Sequence, residues 1–177
     1  MSAAPPPTTY AAWQELLDRF RAGADEVLQA LEGGRIEWSP VVAERWTRRM
    51  SETLGDRLRV LSAQLQRDLE RARGDLHGVE SALVRTGRGL VPLARFCRLV
   101  CAPPEVQSHL LGELESWTRQ TRSSLESQAS RFRDDQGLLL RAIRSARLDI
   151  PGETAGTPGR TTDTESPAVV RGRRILT

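Results

Sequence analysis

The chain has 177 residues, 38% hydrophobic and 28% charged, a balance that suits one domain whose helices leave much of their surface exposed. All 26 basic residues are arginines, which excludes the enzyme classes that need a phosphate-binding or Schiff-base lysine. The net charge is only +3, and acids alternate with arginines at helical i,i+4 spacing (Glu15/Arg19, Glu44/Arg48, Arg71/Asp75, Glu115/Arg119, Arg131/Asp135), so the pI near 9.6 by itself does not argue for nucleic acid as a partner.

Residues 1–7, with three consecutive prolines, have no positive n-region and no apolar core; they read as a disordered start rather than a secretory signal. Thr8 and Thr9 are placed to cap a first helix over about 9–32, along which Tyr10, Trp13, Leu17, Phe20, Ala24, Val27 and Leu31 recur with the 3,4 spacing of a heptad seam. Gly33-Gly34 is expected to end it through left-handed backbone, and Ser39-Pro40 to start the next helix as N-cap and first helical residue.

The prolines then leave two long gaps, between Pro40 and Pro92 and between Pro104 and Pro151. A proline inside a helix costs roughly 3 kcal/mol, so each gap predicts a long helix. The second helix is expected over about 40–86, with Val42, Trp46, Met50, Leu54, Leu58, Leu61, Leu65, Leu69, Ala72, Leu76, Val79 and Leu83 on one stripe, ending near Gly87 and Gly89. Gly74 and Gly78 within it mark a close helix crossing, a hinge, or simply tolerated glycines. A short third helix over about 91–101 has Pro92 near its start and Leu93, Phe96, Cys97 and Val100 inward, until Ala102-Pro103-Pro104 breaks it. The fourth spans about 104–148, and its stripe from Leu110 to Ala146 is interrupted by Thr121, Gln128 and Gln136, polar residues of the kind that fix register or oligomeric state.

The fold class that follows is all-α: an elongated antiparallel helical bundle or coiled coil with two long helices, one medium and one short, occupying 8–148. At 1.5 Å per residue a second helix of about 45 residues would run about 67 Å, and a first helix folding back on it would cover only about 36 Å. The far stripe, Leu65, Leu69, Leu76, Val79 and Leu83, is then thinly covered, which predicts self-association, most simply as a dimer. After Ile150 apolar periodicity stops: residues 149–167 read as a flexible linker and 168–177 as a basic and apolar C-terminal peptide within a disordered tail. Val169, Val170, Ile175 and Leu176 supply apolar anchors there, and Arg171, Arg173 and Arg174 carboxylate-binding charges, a composition suited to docking a protein partner.

No catalytic, cofactor-binding or metal site is predicted. Cys97 and Cys101 with His77 and His109 lack zinc-finger or ribbon spacing and read as core thiols in a reducing, cytoplasmic setting. Ser108-His109 is an adjacent hydroxyl–imidazole pair whose side chains diverge on a helix, and no carboxylate is read as orienting the ring. Asp134-Asp135 and Glu113/Glu115 belong to charged faces. Trp13, Trp46 and Trp117 fall on seams, and Trp38 lies in a loop as a staple or a contact for a partner. No stretch approaches a membrane span.

A long charged helix followed by Leu90-Val91-Pro92-Leu93 opening a short one, then a loop and another helix, resembles the helical part of GrpE, the nucleotide-exchange factor of bacterial Hsp70 chaperones, over residues 41–130. Val169 to Leu176 resembles that family's closing strand segment, while the compact β-domain that contacts the chaperone has no counterpart. The resemblance implies exchange-factor activity as an alternative to the principal expectation, a non-enzymatic oligomerisation or adaptor protein. A second alternative is an arginine-rich binder of nucleic acid or an anionic membrane surface.

Overall fold

The structure, a computed structural model, describes residues 6–35, 39–72, 75–129 and 143, and every regular element among them is helical. α1 (Tyr10–Arg21) starts where extended Thr9 accepts the Ala12 N–H on its hydroxyl at 3.3 Å, satisfying one of the donors a helix start leaves unpaired. Just past its end lies Gly23 at φ 108°, the one left-handed glycine among the described residues. The chain turns there through a 3-10 segment, Asp25–Val27, into α2 (Leu28–Glu32).

This break corrects the single helix expected over 9–32. Leu17, Phe20, Val27 and Leu31 are all buried as the seam requires, but the last two lie on a segment running the other way. Gly33 does not terminate the chain through left-handed backbone either, since its φ is −81°. Gly34 is small for a different reason: a Cβ there would lie 2.7 Å from the Trp13 indole. Pro7, expected in the disordered start, is buried, and its carbonyl accepts the Arg35 N–H at 3.2 Å.

Because the reversal happens at Gly23, α1 lies along α3 (Pro40–Ala72) in the same direction rather than folding back on it. Tyr10 and Trp13 meet Trp46, with ring centroids 4.9 and 5.7 Å apart, and Arg21 pairs with Asp56 one end further along. Arg57 secures that end. Its guanidinium lies 4.8 Å from the centre of the Phe20 ring, donates to the Phe20 carbonyl at 2.8 Å and pairs with Asp25 at 2.7 Å. The Phe20 carbonyl, which also accepts the Gly23 N–H at 3.0 Å, thus gains a cation at the end of α1, the charge a helix C-terminus favours. On the returning side, Glu32 pairs with Arg95 at 2.9 Å and Phe20 stacks on Phe96 at 4.7 Å.

Ser39 and Pro40 start α3 as expected: Ser39 Oγ accepts the Val42 N–H at 3.4 Å and its carbonyl the Ala43 N–H at 2.8 Å. The helix expected to continue to 86 stops at Ala72, and α4 (Leu76–Cys97) begins after Asp75, whose carboxylate accepts the N–H groups of His77 and Gly78 at 3.2 and 3.0 Å. The chain reverses here, since Asp68 of α3 accepts from Arg85 of α4 at 3.1 Å and Leu61 lies against Gly89.

α4 also absorbs the short helix expected over 91–101: it runs through Gly87, Gly89 and Pro92 without ending. The reason lies in packing. A Cβ on Gly89 would come 2.7 Å from Leu61 Cδ1, and one on Gly78 would come 2.9 Å from Ala72 Cβ, so both glycines permit close approach of α3 and α4. This hairpin buries Leu65, Val79 and Leu83 and half-buries Leu69 and Leu76. The premise that this stripe is thinly covered therefore does not hold: it is a seam inside one chain.

α5 (Pro104–Ala129) starts on a first-turn proline, with Gln107 Nε2 donating to the Leu99 and Ala102 carbonyls at 3.2 and 2.8 Å. It packs against both α3 and α4. Of the expected continuation to 148, only Ile143 is described, helical and 1% exposed.

Of the i,i+4 pairs expected, none within the described residues forms. Arg48 pairs instead with Glu52 and Arg71 with Asp68, both within α3, and Arg19 with Glu26 across the turn at Gly23. Arg131/Asp135 lies outside the described residues. No helix among the described residues is long and apolar enough to cross a membrane.

Candidate functional site

A concave feature lined by two helices lies between α3 and α5, beyond the point where α1 stops. It is a groove of about 380 Å³ lined by Ser62, Leu65, Gln66 and Leu69 from one helix and Trp117, Gln120, Thr121, Ser124 and Leu125 from the other. The spacing of these residues, roughly one helical turn between successive members, places each set on one face of its helix, the two faces meeting across the groove. Trp117 is half-buried, and its indole N–H donates to Ser62 Oγ at 2.9 Å, which joins the two walls at one end.

The chemistry of the lining is mixed and neutral. Leu65 and Leu125 form a floor that is already 5–6% exposed, so covering it further removes little apolar surface from water. The rim carries hydroxyls and amides, and none of the nine lining residues is ionisable. Gln66, on that rim, donates to Glu70 at 3.1 Å. Such a site selects by hydrogen bonding and shape, not by charge, and binding there would vary little with salt.

A second cluster, Tyr10, Trp13 and Trp46, sits where α1 meets α3. Trp13 and Trp46 are 1% and 3% exposed, yet neither indole N–H has an acceptor. A buried donor without a partner costs roughly 1–3 kcal/mol, which the ring contacts and the burial of two indoles must offset.

The thiols are placed as core residues. Cys97 Sγ lies 3.6 Å from the Leu110 carbonyl and Cys101 Sγ 3.3 Å from that of Leu31, so each helps to join two segments. Burial pushes Cys97 up to about 12 and Cys101 to about 11, far from the thiolate needed for nucleophilic or metal-binding chemistry at neutral pH. No group of three or more metal-ligating side chains occurs among the described residues. His109 is exposed and sits 3.4 Å from Glu113, so a carboxylate does stand beside the ring, contrary to the reading of the sequence; Ser108 is exposed as well. His77 is exposed at the start of α4.

Other sequence candidates fall elsewhere. Trp38, Asp134-Asp135 and the peptide residues Val169, Val170, Arg171, Arg173, Arg174, Ile175 and Leu176 lie outside the described residues, as do 149–167. The Leu90-Val91-Pro92-Leu93 run, read as opening a short helix, sits well inside α4. Leu65, Leu69, Trp117, Thr121 and Leu125, which lie on core stripes in the sequence, together line a groove that periodicity alone does not reveal; Ser62, Gln66, Gln120 and Ser124 look in the sequence like any polar residue on a solvated helix face. No family model, curated protein or solved structure matches the chain.

Proposed function

We propose that this chain is a non-enzymatic adaptor that receives a helical segment of a protein partner in the α3/α5 groove. The observation supporting this reading is the groove itself: it extends over about two helical turns, has an apolar floor between two helical walls, and is lined by no ionisable group. The matching partner is an amphipathic helix with small apolar anchors and uncharged polar flanks. Charged polymers are poor occupants of such a lining, which weighs against nucleic acid and anionic membrane. In the same proposal the helices form an antiparallel bundle in a cytoplasmic protein, and the Val169–Leu176 peptide provides a second contact for the partner.

A photo-crosslinking residue at Ser124, compared with one at exposed Val84 on α4, tests the groove in host cells. The reading expects one protein species crosslinked at Ser124 and not at Val84, lost when Thr121→Arg fills the groove, and retained in buffers of about 0.1 and about 0.5 M salt. Equal labelling at both positions, or recovery of nucleic acid or lipid in place of protein, would overturn it.

A further inference from the structure

No further inference is drawn: the strongest candidate outside the α3/α5 groove, the Tyr10–Trp13–Trp46 cluster where α1 meets α3 with its two buried indole N–H groups lacking acceptors, has its Trp13 edge closed by Gly34, and nothing in the structure shows what ligand would reach it.

Discussion

Along α3 the molecule divides at about Leu58. On the near side α1 and α2 lie against the hairpin, and rings meet rings: Tyr10 and Trp13 on Trp46, Phe20 on Phe96, with the Arg57 guanidinium over Phe20. On the far side, among the described residues, α4 and α5 accompany α3, the buried contacts are mainly leucine and valine with Trp117 at Ser62, and Asp68 is buried among Gln64, Arg71 and Arg85. The same helix thus carries a dense aromatic end and a thinner end with a groove. Stability and recognition are separated along its length: large rings filling a closed core stabilise the fold, and a neutral rim beside a shallow floor is left for a partner.

The largest expected effect probes that contrast directly. Phe20→Ala removes a fully buried ring and the face under Arg57, at a cost of about 3–5 kcal/mol, whereas Leu69→Ala, half-buried at the groove, should cost about 1–2 kcal/mol. Urea unfolding of the two variants measures both, and equal losses would erase the distinction between the ends.

Two glycines sharpen it further. Gly34→Ala presses a methyl against three atoms of a buried, rigid indole and should destabilise by about 1–3 kcal/mol. Gly89→Ala meets only the tip of Leu61, which can rotate away, and alanine gains about 1 kcal/mol of helix propensity, so its net effect should be near zero. Thermal melts decide the order, and a larger loss at Gly89 would contradict the packing described for α3 and α4.

Next in size is the response to alkali. Both thiols have raised folded-state values, so below pH 9 the stability they confer is fully present. Above it the unfolded chain ionises first and binds fewer protons, so stability falls as pH rises toward the folded values of about 11 and 12. Cys97 should contribute about 1 kcal/mol per pH unit between 9 and 11. The chain has no lysine to complicate this range. Unfolding free energies at pH 8 and 10.5 should converge in a Cys97→Ala, Cys101→Ala double variant, and an unchanged slope would mean that the thiols are not buried as described.

Smallest of the expected losses is that of Arg85→Ala, which removes one of three partners from buried Asp68 but takes away a largely exposed side chain; about 1 kcal/mol is expected, readable as a shift in the urea midpoint.

These contrasts also show where the sequence was informative. Thr9, Ser39, Pro40 and Pro104 act locally, through a hydroxyl within reach of a neighbouring N–H or a fixed φ, and each helix start read from them is found. Glycine carries no such unambiguous signal. Gly23 turns the chain, Gly34 admits an indole, and Gly78 and Gly89 admit a neighbouring helix, yet in sequence all four are the same residue. The break at Asp75 was hidden by a leucine stripe that keeps its period across it, because both arms of a hairpin present the same face to one core. The groove was legible only as its apolar half: which leucines of α3 face α5 depends on the hairpin, a tertiary fact.

That hairpin is the central claim, and a single distance tests it. Val60 and Val91 are exposed, on α3 and α4 respectively, and accept spin labels without disturbing the core. If the chain reverses at Asp75, adjacent helices 8–10 Å apart place the two labels about 10–20 Å from each other. A continuous helix through residues 60–91 would separate them by about 46 Å. A distance near the longer value in dipolar spectroscopy would contradict the hairpin and, with it, the groove that α3 and α5 form.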